Sequence, residues 1–367
     1  MKLNSMSYLQ NTLSRQEWLD RTYRKSKSQR ALELAQAALK SFDAFCSEKY
    51  GKDPDTIISE LRGNPGDRTY IFLNNFVAFM DNKSPKTVQT YFGLVKSFLR
   101  TQGVKTDRDD VREFVKLPTL LKIRRKPLTK EIIRKLLDNS KERRKALYLT
   151  LLSSGMRLGE ALSLKKENFD FTKDPVMVFV PAACTKTRES RETFISSEAK
   201  ELVSNLVQGK SDSELVFANQ KNNVAAVRVE EAVFSKLRRR CGLLEKYEGS
   251  SRFVVNIHAF RAYFHTNASR IHSTEYANAL DGHTSYLGQY YRIAPEERAK
   301  MYKTLEPALL IFGNSDATNG LFKEQLESKN KEIEHLTKLI IEMKEDLEKV
   351  RKRQERLEKT IVVKETK

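Results

Sequence analysis

At 367 residues the chain exceeds one ordinary domain and suits two or three. Its 39% hydrophobic content supplies real cores and excludes wholesale disorder. The 67 Lys and Arg against 48 Asp and Glu leave +19 at pH 7, a surplus that favours a polyanionic partner.

Residues 320–367 hold 13 basic and 11 acidic residues, so nearly all of that surplus belongs to the body of the chain. A folded nucleic-acid-binding surface is therefore expected. Cys46, Cys184 and Cys241 are scattered and form no CxxC pair, which argues against a Cys-rich zinc site and for a reducing compartment. The polar start MKLNSMSYLQ lacks the apolar core of a signal peptide, and no run approaches ~18 apolar residues. The expected setting is cytoplasmic, with no membrane partner.

Residues 1–27 read as a weakly structured basic arm ending in Arg21, Arg24, Lys25 and Lys27. A helical domain follows over 28–115. Ala31, Leu32, Leu34, Ala35, Ala38, Leu39, Phe42 and Phe45 recur at three-and-four spacing. GKDP at 51–54 and GNPG at 63–66 break the pattern. Tyr70 to Met80 then predicts a helix with Ile71, Phe72, Asn75, Phe76 and Phe79 near one face. Ser84–Pro85 starts another, carrying Val88, Tyr91, Phe92, Val95, Phe98 and Leu99.

Residues 116–130, KLPTLLKIRRKPLTK, predict a basic linker able to lie along a phosphate backbone. Thr129 is a plausible N-cap for the next domain, 131–312. Within it, Val176, Val178 and Val180 alternate, a polar turn follows, and then Thr193, Phe194 and Ile195, which together predict a β-hairpin. GNSDATNG at 313–320 reads as a hinge.

Beyond the hinge, over 321–362, Leu326, Ile333, Ile340, Leu347 and Ile361 share one heptad position, with Gln354 in register. Phe322, Leu336, Met343, Val350 and Leu357 share the other, with Lys329 as the exception. That pattern predicts a coiled-coil oligomerisation tail.

Four separated pieces carry chemistry-bearing residues. SSGMRLGEALSL (153–164) places Arg157 after a Gly and opens a helix, with Glu160 three residues on. TKTRESR puts Lys186 in the hairpin turn, flanked by Arg188 and Arg191. IHAFRAYFHT (257–266) sets His258 and Arg261 one helical turn apart. LDGHTSYLGQYYR (280–292) holds His283 after a Gly, then Tyr290 and Tyr291. Each piece alone reads as ordinary surface or core. His258, His265 and His272 recur every seven residues without a His-x-x-x-His or acidic trio, so no metal is expected.

In this order the pieces resemble the tyrosine recombinase (phage-type integrase) family across roughly residues 28–310. The resemblance implies a mainly α protein: a helical core-binding domain and a mixed α+β catalytic domain with a small β element. It implies a site-specific DNA recombinase that needs no cofactor, works through a 3′-phosphotyrosyl intermediate and a Holliday junction, and acts as a tetramer on double-stranded recombination sites. A nucleoid-associated location would follow.

Arg157 and Arg261 would then grip the nonbridging oxygens of the scissile phosphate. Lys186 would protonate the leaving 5′ oxygen, His258 would assist the tyrosine hydroxyl, and His283 would bond the phosphate. Tyr291 is the expected nucleophile, with Tyr290 as fallback. Lys122, Arg124, Arg125 and Lys126 in the linker, with Arg188 and Arg191 beside the turn, are the expected DNA contacts.

Two departures stand out. Asp281 precedes Gly-His where the family usually has an apolar residue, and the spacing from His283 to the tyrosine is one residue short. A type IB topoisomerase-like relaxase and a non-catalytic DNA-bridging coiled-coil protein remain the alternatives.

Overall fold

The computed structural model describes residues 12–63, 66–120, 123–219, 222–248, 250–283 and 293–313, with isolated residues between 334 and 348. The chain divides into two compact units, residues 1–122 and 123–367.

The first unit is all helical: α1 Arg15–Ser26, α2 Gln29–Tyr50, α3 Pro54–Gly63, α4 Asp67–Phe79, α5 Pro85–Thr101 and α6 Arg108–Phe114. Its breaks fall where the sequence places them. Gly51 closes α2 in the left-handed region at φ 63°, Pro54 opens α3, and Gly66 precedes α4. The Ser84 side chain accepts from the Thr87 amide ahead of Pro85 and starts α5. Val88, Phe92, Val95, Phe98 and Leu99 are buried in the core. Ile71, expected on the inner face of α4, is 59% exposed, while Phe72, Leu73, Phe76 and Val77 are buried. The buried stripe of α4 therefore lies one residue further round the helix.

Residues 15–26, expected to be weakly structured, form α1. Ser14 and Glu17 build a reciprocal capping box, and Trp18 and Leu19 are buried, Trp18 edge-on to Phe98 at 5.4 Å. The basic residues of this stretch are its polar face.

The linker is divided between the two units. The Lys116 amide donates to Asn74 and the Gln89 side chain donates to the Pro118 carbonyl, so the linker's start is docked on the helical unit. Lys126 is held within the second unit, its ammonium on Glu245 and its amide on the Tyr247 hydroxyl. Lys122 lies outside the described residues.

The second unit comprises α7 Lys130–Asp138, α8 Glu142–Ser154, α9 Leu158–Leu162, α10 Ser197–Val207, α11 Asn223–Arg240, α12 His258–Ile271, α13 Thr274–Asp281 and α14 Pro295–Leu309. Thr129 caps α7, as its sequence suggests. The anticipated hairpin is β2 Val176–Val180 against β3 Arg191–Ile195, antiparallel, with Val178 opposite Thr193. Val176, Val178 and Val180 face the core. A two-residue strand, β1 Phe169–Asp170, extends it to a three-stranded sheet.

Helix α8 is buried along its whole second half, Ala146 to Ser154. Its last carbonyls, left without partners inside the helix, are taken up from elsewhere. Tyr302 donates to Ser153 at 2.7 Å, Thr193 to Ser154 at 2.9 Å, and Arg261 to Gly155 at 2.5 Å. The chain then turns at Gly155, φ 66°, where a Cβ would come within 2.3 Å of the Phe264 ring.

No helix among the described residues is long and apolar enough to cross a membrane.

Candidate active site

All four motif stretches converge on the C-terminal end of α13, the second through Arg191 and not through Lys186. A helix end presents unpaired carbonyls and partial negative charge. Here three arginines from different elements meet it. Arg191 donates to the Leu280 carbonyl at 2.9 Å, Arg261 to the Asp281 carbonyl, and Arg157 reaches the Gly282 carbonyl at 3.4 Å. Gly282 sits at φ 74°, and a Cβ there would lie 2.8 Å from the Arg191 guanidinium. Only glycine permits this approach.

Arg157 stands at the N-cap of α9 and is positioned by Glu160, which accepts from its amide at 2.9 Å and its guanidinium at 2.8 Å. The same carboxylate accepts from Arg191 at 2.6 Å. Burial works to raise the Glu160 carboxyl, but the bonds and charge of Arg191 and Arg157 outweigh it and hold the group below the usual carboxylate range. Arg191, expected to contact DNA, instead turns its guanidinium inward, with only 9% of the side chain exposed. Its role in this structure is to tie β3 to α9 and α13.

Arg261, on α12, is 2% exposed. It bridges the Gly155 turn to α13, with a further bond to the Asp281 carboxylate at 3.2 Å. Burial lowers its pKa to about 10 against the opposing pull of Asp281, so it stays charged at neutral pH. Its Nε finds no acceptor among the described residues.

Asp281 is fully buried and accepts from four donors. These are Arg261 Nη2, the His283 amide at 3.0 Å, and the Nδ1 atoms of His283 and His265, each at 2.9 Å. The donor atoms of His265, Asp281 and His283 lie within 4.8 Å of one another. The Arg261 guanidinium on the same carboxylate, 3.3 Å from His283 Nδ1, would stand against any cation placed there.

His258 opens α12 and is exposed. Loss of hydration, then the positive groups Arg261, Arg125, His283 and Arg157, lower its pKa. His283 is lowered too, by desolvation first, with Asp281 opposing and Arg261 adding to the effect. Both rings are therefore neutral at ordinary pH.

Lys186 lies in the turn between β2 and β3, exposed, and no described residue holds its ammonium. Arg188 in the same turn is exposed at φ 60°, and Arg124 and Arg125 are exposed as well. Tyr290 and Tyr291 lie outside the described residues, between His283 and the start of α14.

Two members of the cluster lie within the motif stretches but were not expected in the site, Arg191 as a structural cation and His265 as a donor to Asp281. The departure at Asp281 was the one available signal, because a carboxylate in an apolar position needs partners.

Nothing matches among curated proteins. Among solved structures the chain is similar to a lambda integrase dimer bound to a COC′ core site, in two versions. One has TM-score 0.53 and 16% identity, covering 80% of this chain and 78% of that one. The other has TM-score 0.52 and 16% identity, covering 77% and 100%. It is also similar to a lambda integrase tetramer bound to a Holliday junction, with TM-score 0.50 and 15% identity, covering 74% and 77%. At that identity the likeness establishes the fold. The family model described as "Phage integrase family" matches residues 126–294, a span of the second unit that holds every motif above, so this part of the chain is similar to that family.

Proposed function

We propose that the protein is a site-specific DNA recombinase that cuts and rejoins duplex DNA through a 3′-phosphotyrosyl link to Tyr291. The observation that carries this reading is the convergence of Arg157, Arg261 and His283 on one helix end. Arg261 is bonded both to the turn that presents Arg157 and to the segment that presents His283. Bonds from Arg261 to Gly155 and from Arg157 to Gly282, spanning 106 and 125 positions, bring these segments into one site.

The chemistry follows from the residue types. Attack of the tyrosine oxygen on phosphorus builds charge on the nonbridging oxygens, which two forked guanidiniums stabilise. Neutral His258 accepts the hydroxyl proton as the P–O bond to tyrosine forms. The bond to the 5′ oxygen breaks, and Lys186, on its free turn, supplies the proton to that oxygen. Ligation reverses these steps with a new 5′ hydroxyl and needs no external energy, because the phosphotyrosine conserves the ester bond.

The exposed Arg124, Arg125 and Arg188 suit backbone contact, whereas Lys126 already has Glu245 as partner. In the tail, Leu336, Ile340, Met343 and Leu347 are helical and exposed. A second copy of the chain would cover this stripe as a coiled coil and join protomers on paired sites.

A nicked duplex that traps the cleaved end tests the proposal. The protein should form a covalent adduct in EDTA as well as in magnesium, and Tyr291→Phe should abolish it while duplex binding survives. Loss of the adduct from Tyr290→Phe alone would move the nucleophile one residue back. No adduct from the unaltered protein would sink the reading. An adduct with relaxation but no exchange between two sites would make the enzyme a relaxase.

A further inference from the structure

We infer that Asp281 is a positioning residue for strand cleavage, holding His283 as the Nδ1–H tautomer so that its bare Nε2 is left as a hydrogen-bond acceptor for a reacting hydroxyl and not as a donor to the phosphate. This rests on the recombinase reading for its consequence, though not for its geometry.

A carboxylate only accepts hydrogen bonds, so an imidazole nitrogen 2.9 Å from it must carry the proton. His283 is thereby held as the Nδ1–H form, and Nε2 is its remaining nitrogen, on a side chain 47% exposed. The backbone amide of His283 donates to the same carboxylate, so ring and main chain are both fixed. Arg261, the buried guanidinium of the site, is fixed through the other contact. His265 donates to the carboxylate as well, and its ring lies edge-on to that of His283 with centroids 5.3 Å apart. It completes the set of four donors.

Burying a carboxylate is costly unless its lone pairs are filled, and here they are. The family resemblance puts an apolar residue in this position, so the fold does not require a charge there. The charge is accounted for by what it holds.

Asp281→Asn tests this with little change of shape. An amide cannot accept from every donor in the set, and its own NH2 would favour an unprotonated Nδ1, turning His283 to the Nε2–H form. Single-turnover cleavage should fall roughly ten- to a hundredfold, in keeping with the loss of groups that orient a functional histidine, while duplex affinity changes little. Imidazole nitrogen resonances of histidine-labelled protein should report His283 as Nδ1–H in the unaltered chain and as Nε2–H, or a mixture, in the variant.

An unchanged tautomer or an unchanged cleavage rate in a folded variant would overturn the inference. Should the variant not fold, the unaltered protein decides, since an Nε2–H ring at His283 there is incompatible with it. Absence of any covalent adduct in the unaltered protein would instead strike the recombinase reading, leaving the tautomer result to stand or fall separately.

Discussion

In the helical unit the core running from Trp18 to Val115 is aromatic and aliphatic, and Thr69 is the one polar residue buried there among the described residues. In the second unit Glu160, Glu230, Arg238, Arg261 and Asp281 are all buried. Phe42, Phe45, Phe72 and Phe76 pack with ring centroids 5.1 to 6.2 Å apart in the first, a dry interior that gains from every contact. The charges of the second must be matched donor by acceptor, and replacing one member leaves its partner unpaired. One interior is organised for stability and tolerates exchange among apolar shapes. The other is organised to aim side chains.

The sharpest way to break this contrast is to cut into the dry core. Phe76 is fully buried against the rings of Phe42 and Phe45, so Phe76→Ala should destabilise the helical unit by about 3–5 kcal/mol. Thermal unfolding of the full chain should show that loss in an early transition, with the second unit melting as before. A single unshifted transition would mean that the Phe cluster does not dominate the helical unit's stability.

Two arginines of the site sharpen the comparison from the other side. Arg157→Lys keeps the charge and loses the fork at a side chain that is still 29% exposed. Cleavage should fall on the order of a hundredfold, with the melting temperature and site affinity nearly unchanged. Arg261→Lys should cost at least as much in rate and should also destabilise the second unit, because the lysine cannot serve Gly155 and Asp281 together. If the two variants matched in stability, Arg261 would not be the brace the geometry makes it.

The same contrast explains what could be read from the residues alone. The helices of the first unit were legible because burial there follows a period, and breaks at Gly51, Pro54 and Pro85 need only local rules. Helix α1 was missed because its many basic residues obscure Trp18 and Leu19, although Ser14 and Glu17 spelled its capping box. Strand β1 is two residues long and has no pattern of its own; only its pairing with β2 defines it. In the site, Arg157, His258, Arg261 and His283 were legible as ordered motifs. Arg191 was not: a basic residue beside a turn reads as surface until a buried Glu160 from another segment claims it. The coiled-coil stripe and the tyrosine pair lie wholly or largely outside the described residues.

The smallest effect concerns protons. His258 and His283 both have pKa values below the ordinary imidazole value of 6.5, through desolvation first and neighbouring charge second. A lowered value means that the folded protein resists protonating these rings. Their contribution to stability is therefore complete above the unfolded value and is lost as pH falls through the folded one. The same sign governs activity, since a protonated His258 cannot accept the tyrosine proton. Cleavage should hold steady as pH drops through 6.5 and decline only below it, a modest displacement measurable by single-turnover rates from about pH 5 to 8. Replacing Arg125, exposed and outside the arginine cluster of α13, with Gln should raise the midpoint slightly by removing one of the charges that act on His258. A midpoint at or above 6.5 in the unaltered enzyme would separate His258 from the proton transfer and leave the buried cluster as the only part of the site with a tuned charge state.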